Sequence, residues 1–522
     1  MTRPATLALA ILVLAGAAAA DWPRFQGPIR DATGPEKGLV RDWPEGGPKV
    51  LWTVALGPDE RERFLSRDDA LDMRRYTAAA DVYRTCKDSV VCLGFRRKDP
   101  DKPDTYHTEQ ASGVVLHEAG YLLTNAHLLR HGGAGKAGFS DDREYPVRVV
   151  AVDESRDLAV LRLEPDAGGA LPRLVPIKLG HSGDLVVGEQ VVALGNPSGI
   201  GLTVSMGIIS ALHRATKSDF TFFSDMIQTD ASTSSGSSGG PLLNCLGELV
   251  GLNTTKQTKA ENMEFAIPVD LLREALPEML APEGRFGFVL GVTVTSDAPA
   301  TVAAVATGSP AEAAGVRAGD VLASVGAAEV RNGIDFCLAL MDARPGQTLS
   351  LRLRRDGRPV EVSVTLAAVE PRAADAVEGL AGGLKREFYQ GAWDRLPDFG
   401  SLQPATVDRA ETFDLGPYRG KNTFALRFTG YVDVPADGIY AFSVLSDEGS
   451  RLWIGDRLVV DNDGAHAPTE KRGFIPLKAG KHAITVAYFE GAGGEELRVA
   501  WEGPGLAKQP IPASALSSAD RR

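Results

Sequence analysis

Residues 230–242 have the sequence DASTSSGSSGGPL, which is the most informative segment of the central part of the chain. Gly236 stands two residues before Ser238, a glycine pair follows that serine, and an apolar strand begins directly after Gly-Gly-Pro. Glycines at these positions permit a tight turn that exposes a hydroxyl and aims two backbone amides inward. A flexible Ser/Gly loop is the alternative interpretation, but it does not account for the strand. We therefore predict Ser238 as a nucleophile and the N–H groups of Gly236 and Ser238 as its oxyanion hole.

Two upstream segments supply a base and a carboxylate to orient it. The run YLLTNAH places His127 at the end of an apolar strand, and Asp157 follows in RDLAVL. The chain has eight histidines, and a lone histidine is usually structural. His127 is singled out because the chain order His, Asp, Ser is that of chymotrypsin-type proteases and differs from the subtilisin and α/β-hydrolase orders. We predict His127 as the base and Asp157 as its orienting residue.

These segments resemble the HtrA/Deg family of trypsin-like serine proteases. TNAH, DLAVL, ALGNPSGIG, VSMGIISA, SSGSSGGPLLN and FAIPVD occur in that family's order over about residues 82 to 280. The resemblance implies two β-barrels, with His127 and Asp157 on the first and Ser238 on the second, and no metal or cofactor in the protease site. It also implies unfolded or exported protein substrates and a homotrimer.

The chain departs from that family beside the nucleophile. Ser237 stands where Asn is expected, in Gly-Ser-Ser-Gly-Gly instead of Gly-Asn-Ser-Gly-Gly. The oxyanion hole uses backbone N–H groups, so we expect activity to survive the change. Loop rigidity and substrate preference are the properties that the change puts in question.

The pattern of short strands sets the fold class as mainly β. Between Val82 and Pro268, β-branched runs alternate with Gly, Asp and Pro, which predicts a barrel or a sandwich, and Val269 to Met279 has the spacing of a closing helix. The predicted architecture is a chymotrypsin-like double β-barrel, then a PDZ domain, which is a small α+β barrel, and then a β-sandwich.

Residues 286 to 366 resemble a PDZ domain. The motifs are VLGV at 289–292, SPAEAAGV, AGDVL and RPG, with short helices expected around Pro310 to Ala314 and Ile334 to Met341. Such domains add a peptide strand to their sheet, and loop amides can hold the terminal carboxylate of that peptide. The resemblance implies peptide binding at Val289, Leu290 and Gly291. A purely structural spacer is the alternative.

Residues 384 to 513 resemble the protective-antigen-type (PA-fourteen) β-sandwich. The similarity lies in GLKREFYQGAWDRLPDF, in NTFALRFTGYVDVPADGIYAFSVLSDEGSRLWIGDRLVVDNDG and in LKAGKHAITVAYFEGAGGEELRVAWEGPG. Members often bind carbohydrate, and sugar-binding members hold calcium with an adjacent Asp-Asp pair. Here the pair is Asp447-Glu448, with Asp461 and Asp463 further on, so calcium and glycan binding are expectations of the resemblance. A solvated turn between strands is the alternative.

Composition limits the partners and the compartment. The 522-residue chain is 43% hydrophobic and carries a net charge of −12, which disfavours nucleic acid and anionic lipid as partners. Residues 1–20 have the pattern of a cleaved signal peptide, and no second apolar run of that length follows, so we expect a periplasmic or extracellular protein. Four cysteines are too few for a disulfide scaffold, and a Cys86–Cys92 bridge would need a turn between them.

The predicted domains follow from these assignments. They are a signal peptide at 1–20, an irregular and helical segment at 21–81, the protease domain at 82–281, a PDZ domain at 284–368, a linker at 369–383 and a β-sandwich at 384–516. Two other functions compete with an active endopeptidase: a non-catalytic peptide or glycan binder on a protease-like scaffold, and an adhesin-like glycan binder. A missing triad residue would favour the scaffold, and calcium-dependent retention on polysaccharide would favour the adhesin.

Overall fold

The computed structural model describes residues 78–519, apart from short gaps at 99–105, 130–131, 140–142, 166–168, 197–200, 218–221, 234–235, 257–261 and 492–493. The predicted signal peptide and almost all of the predicted N-terminal segment therefore lie outside the described residues. The described chain begins with helix α1 (Ala78–Cys86). None of the helices between residues 78 and 519 has the length and apolar composition needed to cross a bilayer.

The first barrel is closed and has six antiparallel strands in the order β1-β2-β3-β6-β5-β4. Burial alternates along β5, as expected for a strand with one face toward a core, whereas β6 is buried almost throughout. The strands are β1 (Val90–Lys98), β2 (Tyr106–His117), β3 (Tyr121–Thr124), β4 (Gly132–Gly138), β5 (Glu144–Asp153) and β6 (Leu158–Leu163).

The second barrel closes through a pairing of β11 with β12, and β7 is added at one edge, giving the order β11-β8-β9-β10-β13-β12-β7. Helix α2 (Val269–Leu280) follows, as the sequence predicts, and the short helix α3 (Pro282–Phe286) leads into the next unit. The strands are β7 (Lys178–Leu179), β8 (Gln190–Gly195), β9 (Thr203–Lys217), β10 (Phe222–Thr229), β11 (Pro241–Asn244), β12 (Glu248–Lys256) and β13 (Glu264–Pro268).

The third unit has the predicted helices, α4 (Pro310–Ala313) and α5 (Gly333–Ala339). Asn332 caps α5 by accepting from two amides of its first turn, at 3.0 and 2.9 Å. One apolar cluster contains side chains of both barrels, Leu276 of α2 and Leu338 of α5, so this unit packs directly on the protease barrels. Its strands are β14 (Phe288–Val289), β15 (Val292–Val294), β16 (Val302–Val305), β17 (Val321–Val325), β18 (Ala328–Glu329), β19 (Thr348–Arg355), β20 (Arg358–Thr365) and β21 (Ala367–Ala368).

The C-terminal unit is a β-sandwich with an aromatic-rich core of its own. One sheet has the order β22-β33-β25-β30-β27-β28, with β23 and β24 attached through β25, and the other has the order β29-β26-β31-β32. The strands are β22 (Leu380–Gly382), β23 (Leu384–Gln390), β24 (Thr406–Ala410), β25 (Phe424–Val434), β26 (Gly438–Ser446), β27 (Ser450–Ile454), β28 (Arg457–Asn462), β29 (Thr469–Leu477), β30 (Gly480–Glu490), β31 (Leu497–Gly503), β32 (Leu506–Pro510) and β33 (Leu516–Ala519).

Residues 369–383 differ from the free linker that their Ala/Gly composition predicts. The amide of Arg372 donates to Pro476 O at 2.9 Å, and its guanidinium lies 2.8 Å from the Nδ1 atom of buried His482. Leu380–Gly382 forms β22 and pairs with β33. These hydrogen bonds fix both ends of the segment to the sandwich, so most of it belongs to that domain.

Candidate active site and its neighbours

His127 and Asp157 meet at one end of the first barrel. His127 lies in a short 3-10 helix just after β3, and Asp157 immediately precedes β6, which pairs with β3. The Nδ1 atom of His127 lies 2.9 Å from Oδ2 and 3.0 Å from Oδ1 of Asp157. The His127 backbone N–H also donates to Oδ1 at 2.9 Å. The carboxylate therefore fixes both the backbone and the ring of the histidine, leaving the other ring nitrogen as the one to exchange a proton.

The two residues of this pair differ in burial: solvent reaches the histidine but hardly reaches the aspartate. The Asp157 side chain is 5% exposed, whereas the His127 side chain is 25% exposed. Asp157 has a φ of 55°, a left-handed conformation that costs energy for any residue with a Cβ. The Asn125 side-chain amide donates to Asp157 O at 3.1 Å and helps to hold this conformation.

Thr254, on β12 of the second barrel, connects two of the predicted catalytic residues. Its hydroxyl donates to Oδ2 of Asp157, and its carbonyl accepts from the Ser238 hydroxyl at 2.8 Å. Thr254 thus contacts Asp157 in the first barrel and Ser238 in the second barrel. All three residues predicted as a triad lie around this point.

The turn that carries Ser238 is tied down on both sides. Ser112, on β2 of the first barrel, donates from its backbone N–H to Ser238 O at 2.9 Å and from its hydroxyl to Gly236 O at 2.7 Å. The N–H of Gly239 donates to Asn253 O at 2.8 Å. The serine therefore sits on a backbone whose carbonyls and following amide are already engaged.

The predicted oxyanion-hole donors have a suitable conformation. Gly236 has a φ of 98°, and Gly239 a φ of 82°, both in the region that favours glycine. The N–H groups of Gly236 and Ser238 donate to no acceptor among the described residues of the chain. Two amides that are still free to donate, flanking a serine hydroxyl, can bind a developing oxyanion.

The loop predicted to bind peptide carboxylates lies in the third unit between β14 and β15. Val289 ends β14, and Leu290 and Gly291 form the connection. The carbonyls of this connection are used internally: Leu290 O accepts from Ala311, and Gly291 O accepts from Ala306. Its amides are bonded to a carboxylate of the chain itself, that of Glu283, with 3.2 Å between the Gly291 nitrogen and Oε1.

Asp447 and Glu448 lie directly after β26 among other acids. Within the described residues, one carboxylate oxygen of each of Glu448, Glu490 and Glu495 is buried and has no hydrogen-bond partner. Asp461 and Asp463, which stand further on in the sequence, are held by Arg451, with Asp461 accepting at 2.8 Å. Across the described part of the chain, no three His, Cys, Asp or Glu side chains are arranged to hold a metal ion.

The acids of this cluster raise each other's pKa. Burial, followed by the charges of Glu448 and Glu496, raises the pKa of Asp447 to about 6. Burial also raises the pKa of Glu490 to about 7, although a hydrogen bond from Tyr488 lowers it, and the charge of Asp447 adds to the increase. The cluster therefore takes up protons near neutral pH unless a positive charge joins it.

The sequence predicts His127, Asp157 and Ser238 as site residues, but it does not predict the residues that connect them. Ser112, Asn125 and Thr254 have ordinary strand or loop sequences, and their contacts cross from one barrel to the other or from one loop to another. Glu283 was missed for a related reason, since nothing in APEGRF marks a carboxylate that bonds to a loop. Only the three-dimensional arrangement brings these groups to the predicted site.

Family models match three regions of the chain. A trypsin-like peptidase domain matches residues 111–252, a PDZ domain matches residues 288–366, and a PA14 domain matches residues 382–515. These matches confirm the predicted fold class and the order of the three folded parts.

Similar proteins are serine proteases of the HtrA and Deg types. Serine protease HTRA1 of Xenopus tropicalis is 34% identical over 330 residues, covering 58% of this chain and 70% of that protein. The periplasmic pH-dependent serine endoprotease DegQ of Escherichia coli K12 is 32% identical over 295 residues, covering 53% of this chain and 63% of DegQ. Serine endoprotease DegS of Haemophilus influenzae is 30% identical over 264 residues, covering 49% of this chain and 76% of DegS. Among solved structures, the HtrA-type protease AlgW with a decapeptide is 28% identical, with a TM-score of 0.35 over 57% of this chain and 100% of AlgW.

Proposed function

The chain belongs to the HtrA/Deg family of serine endoproteases, and from this we propose that it cleaves peptide bonds with His127, Asp157 and Ser238 as its triad. The observation that carries the proposal is the contact of Nδ1 of His127 with the buried Asp157 carboxylate at 2.9 Å, which is linked through Thr254 to Ser238. The non-catalytic scaffold alternative loses support because no triad residue is missing.

The proposed acylation follows from the roles of these groups. Ser238 Oγ attacks the carbonyl carbon of the scissile bond, and its proton passes to Nε2 of His127. Asp157 holds the ring in the tautomer that leaves Nε2 free and stabilises the imidazolium that forms. The N–H groups of Gly236 and Ser238 bind the oxyanion, an interaction for which removal of one donor commonly costs about 3 kcal/mol. The imidazolium then protonates the leaving amine, and water hydrolyses the acyl-enzyme through the reverse proton transfers.

The serine hydroxyl must turn before the first step. In the structure it donates to Thr254 O at 2.8 Å, so its proton is engaged away from His127. Rotation about the Cα–Cβ bond exchanges this hydrogen bond for one to Nε2. The rotation exchanges one hydrogen bond for another, so its net energetic cost is small.

Ser237 is next to Ser238, so the two serines must be distinguished as candidate nucleophiles. It is a buried neighbour of the catalytic loop, and a Cβ built on Gly195 would lie 2.9 Å from its Cα atom. This close contact fits a structural role for Ser237 against β8. We therefore assign the nucleophile to Ser238.

The decisive measurement is casein cleavage by the unmutated chain, by Ser238→Ala and by Ser237→Ala. We expect Ser238→Ala to lower kcat by at least about 10⁴-fold, as for loss of other serine nucleophiles, and Ser237→Ala to keep cleavage within about tenfold. Equal loss in both variants would leave the register unassigned and count against Ser238. If the unmutated chain cleaves nothing while folded and supplied with PDZ-binding peptides, the scaffold alternative would replace this proposal.

The accessory domains are proposed to recruit substrates. The PDZ domain would engage peptide ends at Val289, Leu290 and Gly291, and the substrates would be unfolded or exported proteins in the periplasm or outside the cell. This compartment is proposed from the pattern at residues 1–20 and from relatives named as periplasmic. A homotrimer is proposed from the family resemblance.

The sandwich is proposed to bind a glycan with calcium held by Asp447 and Glu448. Unpartnered carboxylate oxygens in an acidic cluster have the hard-oxygen chemistry that Ca²⁺ requires, and a bound cation would offset the mutual repulsion of the acids. The test is retention of the full chain carrying Ser238→Ala on immobilised polysaccharides, with Ca²⁺ or with EDTA. Retention in neither condition on a broad panel would refute the glycan role.

A further inference from the structure

Glu283 occupies the carboxylate-binding loop of the PDZ domain. Its Oε1 atom accepts from the N–H of Gly291 at 3.2 Å, and the N–H of Leu290 bonds to the same carboxylate. These are two of the three residues that the sequence predicts as the cradle for the C-terminal carboxylate of a peptide. A side-chain carboxylate of the chain therefore makes the hydrogen bonds that a bound peptide end would make.

The surroundings of Glu283 favour this role over that of an ordinary surface glutamate. Glu283 forms no ion pair with any described residue, so the loop amides are the groups that offset its charge. Burial raises the pKa of its carboxyl, and the hydrogen bonds from Gly291 and Leu290 oppose that increase. A half-buried carboxylate without a cation stays in such a place only when fixed donors face it.

Helix α3, which carries Glu283, lies near helix α5, since Phe286 of α3 and Cys337 of α5 pack against the same apolar cluster. The charge of Glu283 is a secondary cause, after burial, of the raised pKa of Cys337, about 12, and Cys337 lies within α5. PDZ domains bind a peptide as a strand added to the edge of their sheet. The charge of Glu283 therefore acts on the PDZ domain both at the loop amides and at α5.

The element that carries Glu283 is held in place by its neighbours. Glu283 is in the first turn of α3, the connector between the protease domain and the PDZ domain. Arg285 of the same helix donates to the carbonyls of Leu280 and Met279 at 3.0 and 2.8 Å, and α2 packs against α5. The connector is thus braced in the position that delivers Glu283 to the loop.

We propose that Glu283 is an internal ligand of the PDZ domain, which keeps the carboxylate cradle filled so that a peptide with a free C-terminus binds only by displacing it. The proposal rests on the proposed peptide recognition by this domain. Glu283 then lowers the apparent affinity for peptides, because a peptide can bind only to the fraction of molecules whose cradle is open. A peptide that lacks the terminal carboxylate does not bind in the cradle, so its affinity should not increase when Glu283 is removed.

The test measures binding of fluorescein-labelled decapeptides to the full chain carrying Ser238→Ala, which cannot digest them. The peptides are randomised at their last three positions and end either in a free carboxylate or in a carboxamide. Binding is compared for Glu283 unchanged, Glu283→Ala and Glu283→Gln, and for Glu329→Gln, an exposed glutamate of the same domain, as the matched control.

If Glu283 fills the cradle about 90 to 99% of the time, Glu283→Ala strengthens binding of the free-carboxylate peptides by roughly 10- to 100-fold. Glu283→Gln is expected to give a smaller gain, and neither the carboxamide peptides nor Glu329→Gln should show one. Amide exchange at Leu290 and Gly291 is a second readout: both amides should lose protection in Glu283→Ala while the melting temperature of the domain is kept. This readout remains usable if peptide binding is weak.

Two results would overturn the inference, and only the second would also contradict the proposed recognition of peptide ends. Free-carboxylate peptides that bind equally well with and without Glu283 would show that it does not compete, and peptide recognition itself would stand. Peptides that bind to no variant, with unchanged exchange at the loop amides, would remove both the inference and the proposed recognition of peptide ends.

Discussion

Thr254 links the aspartate and the serine of the proposed triad through its two oxygen atoms. Its hydroxyl is fixed on Asp157, and its carbonyl holds the resting Ser238 hydroxyl. Replacement by Val keeps the branched shape and the carbonyl but removes the donor to a carboxylate that is 5% exposed. Oδ2 keeps the contact with His127 but loses one hydrogen bond to a charged group, which is worth about 1.5–3 kcal/mol, so Thr254→Val should lower kcat by roughly 10- to 150-fold with little change in KM. Initial rates on a peptide substrate measure this.

A positioning role also predicts a change that a general loss of stability would not produce. Without the Thr254 hydroxyl the carboxylate is less well held, and the acid limb of the kcat–pH profile should shift along with the loss in kcat. Thr348→Val, on β19 of the PDZ domain, removes an exposed threonine hydroxyl far from the candidate site and should leave the rate unchanged. An unaltered profile in Thr254→Val would assign Thr254 to packing only.

Gly239 differs from other left-handed glycines in what surrounds it. Gly239 has a φ of 82°, and a Cβ on it would lie 2.2 Å from Ser112 O and 2.2 Å from the hydroxyl oxygen of Thr124. Gly188 has a similar φ of 95° but no atom within 4 Å of a built Cβ. Both Ala variants pay about 1–2 kcal/mol for the left-handed backbone, but only Gly239→Ala must also displace the loop of Ser238. We expect Gly188→Ala to stay active and Gly239→Ala to lose nearly all activity in a casein assay; equal activities would show that the turn tolerates the shift.

The residues of the proposed triad were predicted from the sequence, whereas the residues that hold them in place were not. Ser238, His127 and Asp157 stand in local motifs whose turn residues have a chemical meaning, so spacing and chain order identify them. Thr254, by contrast, contacts a residue 97 positions away in the chain, and Ser112 contacts one 124 positions away. A contact of that kind depends on how two barrels meet, which local sequence does not encode.

At the scale of elements, the acidic cluster after β26 sets how the sandwich responds to pH. Asp447 and Glu490 have folded-state pKa values of about 6 and about 7, against ordinary values of 3.8 and 4.5. Between those values the folded chain binds more protons than the unfolded chain, so the free energy of unfolding decreases as pH rises through this window. In EDTA, the melting temperature of the sandwich in the full chain should be lower at pH 8 than at pH 5. The double variant Asp447→Asn, Glu490→Gln should flatten this dependence.

Calcium provides an independent arm of the same measurement. A cation that binds the deprotonated acids stabilises the folded state by mass action, most strongly at the higher pH. Millimolar Ca²⁺ should therefore restore at pH 8 the stability lost in EDTA, and it should have little effect in the double variant. A melting temperature at pH 8 that Ca²⁺ leaves unchanged would contradict the proposed calcium site, whereas a flat pH dependence in EDTA would contradict the repulsion among the acids.

Secondary structure was predictable where apolar periodicity is strong. The helix at 269–280 and the barrel and sandwich strands follow from their patterns, because burial of one face fixes the period. Residues 369–383 were predicted as a linker because they are rich in Ala and Gly. Their order depends on Arg372, which bonds to His482 more than 100 positions away, so composition alone gave no sign of it.

At the scale of the whole molecule, the sandwich docks on the protease domain through charged and aromatic side chains. Lys471 of β29 donates to both carboxylate oxygens of Glu278 on α2, at 2.6 and 2.7 Å, and Arg156 donates to the same carboxylate at 3.0 Å. Burial would raise the pKa of Glu278, but the two cations outweigh it and lower the pKa. Arg156 immediately precedes Asp157, so the C-terminal domain is linked through Glu278 to the loop that carries one residue of the proposed triad.

Phe474 is the aromatic centre of this docking, and its removal tests whether the domains are held as one body. Its ring lies under the guanidinium of Arg285 at 5.3 Å, and that group is buried enough for desolvation to lower its pKa to about 10.

Loss of the Phe474 ring removes a desolvated cation–π contact of about 1–2 kcal/mol. The population of molecules in which the sandwich is undocked should then rise roughly 5- to 30-fold. Hydrogen exchange of the Arg285 amide, which donates to Ala281 O in the helix against which this ring packs, should then be faster in Phe474→Ala than in the parent chain, both carrying Ser238→Ala. Phe399→Ala is the matched control, because its ring also lies under an arginine, Arg427 at 5.5 Å, but within the sandwich. Equal exchange rates in the parent chain and in Phe474→Ala would mean that the ring does not hold the domains together, and that the salt bridges at Glu278 provide the docking.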